Sequence, residues 1–420
     1  MKRYAEMVAE AHDTLIIGAG QSGLAVSWHL TRLGCSHLVL ERARVAERWR
    51  SERWDSLAFQ FPNWSLQLPG FAYDGPDPEG FSGRDAVADF IAAYAAASAA
   101  PVRCGVSVTR LSHDGDRFVL ETSDGPMTAA QVVIATGPYQ RPAIPAALAG
   151  QMGAAKQLHA MAYRNPAELP DGAVLVVGSG ASGAQIAEDL MRAGRRVYLA
   201  VGSHRRAPRR YRGRDFMFWE FALGAFDQPL AQRTPGTVPP LLTGVDGGRD
   251  MDLSVLAAQG VTLLGRLAGA GDGRLVFADD RDASLARAEA EYDAFLAACD
   301  AHAQAAGLDL PPAAPRPPAA PLPTPLLELD LAAAGVGSVI WATGYRYDFG
   351  WVDLPIFADM KTRAEPLHQG GVTPAPGAYL IGLAWLSRRK SSVMMGMGED
   401  AAFVAEHLAA RRTTQRENDV

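Results

Sequence analysis

Short apolar runs followed by helical spacing recur twice along the chain. Thr14 to Ile17 is apolar and ends at Gly18; Val26, Leu30 and Leu33 then share one side of a helix that Gly34 stops. His37 to Leu40 reads as a second strand, ending at Glu41. Strand, glycine turn, helix and strand make one βαβ unit. The same order returns at Val174 to Val177, Gly178, a helix carrying Ala187, Leu190 and Met191, Gly194, and a strand over Val197 to Val201. The distance between the two units is that of a domain, not of a solenoid repeat. Two further buried strands end in small-residue turns: Val132 to Ile134 before Ala135-Thr136-Gly137, and Val339 to Trp341 before Ala342-Thr343-Gly344.

Between these units, Phe61 to Phe81 is rich in Pro, Gly and aromatics and predicts an ordered loop or a lid. Residues 281–307 predict an amphipathic helix with Leu285, Ala288, Tyr292, Phe295, Leu296 and Cys299 at helical spacing. The proline-rich stretch 311–325 is a stiff connector that can be neither helix nor central strand.

The length of 420 residues suits two domains. The expected fold class is α/β, with two doubly wound Rossmann-like dinucleotide-binding domains. The first is discontinuous, 1–155 and 336–420; the second, 156–335, is inserted in it and carries the helical and proline-rich segment. A net charge of −6 argues against a nucleic-acid partner. No apolar stretch is long enough for a membrane span, and the N-terminus lacks a signal-peptide core. Cys35, Cys104 and Cys299 form no CxxC pair, which fits a reducing cytoplasm and weighs against a dithiol mechanism. No metal site is expected. A homodimer is compatible with the sequence.

The chemistry sits in the glycine turns. In Gly18-Ala19-Gly20-Gln21-Ser22-Gly23, Gly18 permits the turn, Gly20 lets a pyrophosphate approach the backbone, and Gly23 lets helix and strand pack closely. Glu41 stands where a carboxylate accepts hydrogen bonds from an adenosine ribose. Gly178-Ser179-Gly180-Ala181-Ser182-Gly183 repeats this geometry, but no acid ends its second strand. Ser203, His204, Arg205 and Arg206 follow instead, with Arg209 and Arg210 behind them. Arginine favours a 2′-phosphate that a carboxylate would repel, so this half predicts NADPH over NADH; a solvated basic face is the alternative. Two dinucleotide sites in one chain point to hydride transfer from a nicotinamide to a flavin.

The order of two GxGxxG turns, Ala135-Thr136-Gly137 and Ala342-Thr343-Gly344-Tyr345 resembles the flavin-containing monooxygenases, over about residues 13–405. It is most similar to bacterial flavoproteins labelled as cation-transport or metal-resistance-associated monooxygenases, through Gln157-Leu158-His159 and Tyr163-Arg164-Asn165-Pro166. Of the linker motif FxGxxxHxxx(W/Y), His159 and Tyr163 match, whereas Gly153 and Ala155 replace the Phe and Gly anchors. No proline follows Tyr163, as it does in Baeyer–Villiger enzymes. Trp49 fits the family tryptophan after the ribose-binding acid, although Ala46-Glu47-Arg48 replaces the usual glycine pair.

The resemblance implies FAD at the first site, with Gln21, Ser22, Arg42, Trp49, Val108, Ala135, Thr136 and Gly137 beside the fingerprint. It implies NADPH at the second, with Ser182, Ser203, Arg205, Arg206 and Ala342 to Tyr345. Asn63 is the catalytic candidate, an amide that would steady an oxygen adduct; a turn-forming asparagine after Pro62 is the alternative. A helix beginning near Glu399 would present its N-terminus to the reduced flavin. Phe216, Phe218, Trp219, Phe221 and Phe226 read as core packing, with a substrate wall as the minority reading.

The implied cycle is reduction of FAD by NADPH, formation of a C4a-(hydro)peroxyflavin with dioxygen, and transfer of one oxygen atom to a small molecule, favoured at a soft nitrogen or sulfur. Three alternatives stay open. They are Baeyer–Villiger oxidation, an NADPH oxidase or reductase that inserts no oxygen, and a non-catalytic flavin-binding sensor or transport-associated subunit.

Overall fold

The structure, a computed structural model, describes residues 9–234, 236–316, 321–361 and 365–418. Residues 1–8 and 419–420 of the expected first domain, and 317–320 of the proline-rich connector, lie outside the described residues. The connector's described flanks contain neither helix nor strand.

The first βαβ unit is β1 (Glu10–Ile17), α1 (Gln21–Arg32) and β2 (Leu38–Glu41), with β1 and β2 parallel. β3 (Val102–Cys104) adds in parallel beyond β2. β4 (Val108–His113), β5 (Phe118–Thr122) and β6 (Gly125–Ile134) form an antiparallel meander whose last strand lies parallel to β1. Leu15, Ile16, Val132 and Val133 are fully buried at the centre of this sheet.

The second sheet begins with β7 (Lys156–His159), β8 (Ala173–Val177), α2 (Ala181–Arg192) and β9 (Val197–Ala200). After α3 (Phe216–Ala222) come β10 (Thr262–Leu264), the long α4 (Arg281–Ala305) and β11 (Val336–Trp341). The strand order is β7-β11-β8-β9-β10, all parallel. β8 is buried along its whole length, as a parallel strand covered on both faces must be. The chain then returns to the first sheet through β12 (Ala378–Leu380), parallel to β6, and ends in α5 (Met397–Asn418).

The expected domain boundary at 336 needs correction. β11 pairs with β7 and β8, so it belongs to the second sheet and the return to the first comes after Trp341. An apolar run buried on both faces carries no mark of which sheet takes it; pairing decides. On α4, Ala288, Tyr292 and Cys299 are buried as expected, while Leu285, Phe295 and Leu296 are only half-buried. Among the described residues, no helix is long and apolar enough to cross a membrane.

Candidate functional site

The two glycine turns are near copies. Gly18 and Gly178 have φ of 112° and 103°, in the left-handed region that favours glycine. A Cβ on Gly23 would stand 2.1 Å from the Gly18 carbonyl oxygen, and one on Gly183 would stand 1.8 Å from that of Gly178. Each turn is buttressed by its own Ala-Thr-Gly: Ala135 N donates to Ile17 O at 2.9 Å, and Ala342 N to Val177 O at 2.8 Å. Gly20 and Gly180, by contrast, face open space. That space above a helix N-terminus is what a pyrophosphate needs, so both turns fit a dinucleotide.

The halves differ at the next strand end. Glu41 accepts the Ala19 N–H at 2.9 Å through Oε2 and the Ala43 N–H at 3.0 Å through Oε1. This holds the carboxylate at the edge of the turn, where an adenosine ribose is expected. At the second site the matching corner is closed by Gly202 N donating to Ser179 Oγ at 3.0 Å, with no carboxylate.

One cleft of about 720 Å³ runs between the halves. Gly18, Gly20, Gln21, Ser22, Glu41 and Arg42 line it. So do Trp49, Val108, Ala135, Thr136 and Gly137, while Gly23 lies beneath the turn. From the second half, Ser182, Arg205 and Tyr345 reach the same cleft. Gly178, Gly180, Gly183, Ser203, Arg206, Ala342, Thr343 and Gly344 lie off its wall, the glycines, Ala342 and Thr343 forming the second fingerprint and its buttress.

The arginine run does not act as a unit. Arg209 is buried; it holds Asp215 through Nε at 2.9 Å and Nη2 at 2.8 Å, and donates to Gln60 O at 2.7 Å, tying the insert to the first half. Arg206 pairs with Asp252 at 2.8 Å and with Glu289 of α4. Arg205 meets Glu291 of α4 at 3.0 Å. Arg210 donates to the carbonyls of Gly247 and Gly248.

The two chain crossings between the sheets are zipped together. Arg141–Pro142 pairs antiparallel with Tyr345–Arg346, and His159 donates from Nε2 to Gly344 O at 3.0 Å. Its Nδ1 accepts the Met161 N–H at 3.1 Å, and burial holds the imidazole below its ordinary value, hence neutral. Tyr163 is fully buried and donates to Asp189 at 2.6 Å. The family-motif pair therefore pins a linker.

Asn63 is engaged within its own loop, as in the turn-forming alternative. Its Nδ2 donates to Asp77 O at 2.9 Å, and its Oδ1 accepts from Ser82 N at 2.8 Å and Ser82 Oγ at 2.7 Å. The amide closes the 62–82 loop and does not line the cleft, because a buried amide at a turn takes the nearest backbone partners. Gln60 and Phe61 line the wall instead.

The structure also supplies groups that sequence reasoning missed. Glu220 of α3 is buried on the cleft wall, 2.7 Å from Nη2 of Arg389. Burial raises its carboxyl, against the pull of Arg389 and Arg205. Phe216 and Phe226 flank this pair in the cleft, whereas Trp219 is core. The available signal was one acid inside the aromatic run Phe216 to Phe221. Ser392, Val393 and Met394 line the cleft just before α5, which starts at Met397.

Comparison with known proteins agrees with this geometry. Residues 15–214 match the family model described as pyridine nucleotide-disulphide oxidoreductase. An uncharacterized CzcO-like oxidoreductase of Geobacillus kaustophilus is 30% identical over 399 residues, 94% of this chain and 98% of that protein. An indole-3-pyruvate monooxygenase of Oryza sativa is 31% identical over 191 residues, 44% of this chain and 47% of that protein. The fold is that of a flavin-containing monooxygenase from Stenotrophomonas maltophilia, with a TM-score of 0.64 and 22% identity, covering 96% of this chain and 99% of the other.

Proposed function

The chain belongs to the CzcO-like oxidoreductases, within the flavin-containing monooxygenase superfamily of FAD- and NADPH-dependent enzymes, and from that premise we propose that it oxygenates a small molecule at a soft nitrogen or sulfur atom. One observation carries the reading: a single cleft takes residues from both nucleotide fingerprints, so a nicotinamide and a flavin bound there share one space.

The residues divide the work. The Gly18 turn and Glu41 hold FAD, and the Gly178 turn holds NADPH. When bound, FAD would supply the redox chemistry by which two electrons from NADPH reach dioxygen, one oxygen atom entering the substrate and the other leaving as water. The protein's part is orientation and exclusion of bulk water. Phe59, Phe61, Phe216 and Phe226 supply apolar wall near the Glu220–Arg389 pair. These features support a small substrate with an apolar body. The three cysteines are unpaired, which fits a cytoplasmic location.

The test follows electrons. With methyl phenyl sulfide and trimethylamine as probes, NADPH consumed is compared with hydrogen peroxide released. A fall in peroxide per NADPH, matched by sulfoxide or N-oxide, supports oxygen insertion. Stoichiometric peroxide with every probe would assign an oxidase instead. Conversion of cyclohexanone to a lactone would favour the Baeyer–Villiger reading.

A further inference from the structure

The two fingerprints are matched at every backbone position described above except the corner that meets the ribose. At the first site Glu41 bonds the residue after the first glycine, Ala19. At the second, the residue after the first glycine is Ser179, and its hydroxyl bonds Gly202. Gly202 therefore marks the place where the second site meets the adenosine ribose, and the side chain beside it decides which ribose is accepted.

That side chain comes from α4, far along the sequence. Ser284 Oγ donates to Gly202 O at 3.0 Å, and Arg287 Nη2 donates to Ser284 Oγ at 3.2 Å. Arg287 is exposed, and no ion pair joins it to a carboxylate among the described residues. The neighbouring cations are committed. Arg206 is held by Asp252 and Glu289, and stacks on Tyr292 at 4.6 Å. Arg205 is held by Glu291 and turns into the cleft, in the field of Glu220. Bringing a phosphate to either would set it against those carboxylates.

We propose that Arg287 is the residue that separates NADPH from NADH, by taking the 2′-phosphate beside the Ser179–Gly202 corner. The inference rests on NADPH occupying the second fingerprint. An arginine fits a phosphate through paired N–H groups, and one already steadied by a serine loses less freedom on binding. Arg205 and Arg206 then serve a different end: their pairs with Glu291 and Glu289 dock α4 so that Arg287 stands at the corner. Specificity would come from an inserted helix rather than from the loop that follows the strand.

Calorimetry on the FAD-loaded protein tests this without turnover, using 2′,5′-ADP and 5′-AMP as probes. The wild type should prefer 2′,5′-ADP. Arg287→Ala should weaken 2′,5′-ADP at least about tenfold and leave 5′-AMP within about twofold. Arg287→Lys should keep part of the preference, and Arg287→Glu should remove it. Arg287 is exposed, so its variants are expected to fold; an unchanged melting temperature checks this. Unchanged 2′,5′-ADP binding in Arg287→Ala would overturn the proposal while leaving NADPH as coenzyme. Loss of the preference in Arg206→Ala but not in Arg287→Ala would return the role to the loop. A wild type that binds the two probes equally would overturn the NADPH reading itself.

Discussion

His159 Nε2 donates to the carbonyl oxygen of Gly344 at 3.0 Å, joining the crossing that leaves the first sheet to the one that returns to it. Gly344 O also accepts the Ala143 N–H at 3.0 Å, so one carbonyl of the returning crossing takes two donors from the leaving one. The ring of Tyr345 meets His159 edge-on at 4.9 Å. A protonated imidazole would lose its bond from Met161 N, since Nδ1 would no longer accept.

This arrangement predicts a pH dependence. Burial lowers the folded pKa of His159 from 6.5, so the folded state binds fewer protons than the unfolded chain. The stabilisation is complete above the ordinary imidazole value and is lost as pH falls through the depressed one. The melting temperature should drop between about pH 7 and pH 5. His159→Gln should be less stable at pH 7 and show a shallower drop. Half-buried His37 and buried His204 shift in the same direction and should keep some slope. An unchanged slope in His159→Gln would show that the linker does not sense this proton.

Glu41 predicts flavin retention. Its carboxylate orders the turn through Ala19 and Ala43. Glu41→Ala should weaken FAD at least about tenfold, read as a lower ratio of flavin to protein absorbance after gel filtration. Glu41→Gln should be intermediate, because its single carbonyl oxygen can satisfy one of the two N–H groups. Full flavin content in Glu41→Ala would show that the glycine turn suffices.

Asn63 separates a structural from a chemical role. Asn63→Ala leaves Ser82 N–H and Asp77 O without their partner, which should cost about 2 kcal/mol in urea unfolding. Peroxide released per NADPH should not change. More peroxide with stability intact would mean that the amide faces the chemistry after all.

The Glu220–Arg389 pair predicts an asymmetry between its members. Arg389→Ala strands a buried carboxylate and should cost about 3 kcal/mol near neutral pH. Glu220 has a raised folded pKa, so its share of stability is present at low pH and lost as pH rises through that value. Arg389→Ala should therefore be less damaging at pH 5 than at pH 8. Adding Glu220→Gln should recover most of the loss. Equal damage at both pH values would show that Glu220 is not the stranded charge.

Much was legible in the sequence because local physics wrote it there. Gly18, Gly23, Gly178 and Gly183 are demanded by φ or by a sub-van-der-Waals approach, and such needs act on neighbours a few residues away. Glu41 was readable for the same reason, since strand length fixes what stands at its end. The two fingerprints, and the acid that ends the second strand of the first unit alone, are thus properties of the sequence itself. Only the tertiary structure decided that Val336–Trp341 joins the second sheet, that Asn63 turns into its own loop, and that Glu220 meets Arg389 across the cleft. It alone set Arg206 against Glu289 and brought Arg287 to Gly202 through Ser284. These outcomes depend on pairing between segments many residues apart. Hydrophobic period and turn chemistry do not encode such pairing; burial and charge matching across the packed domains do.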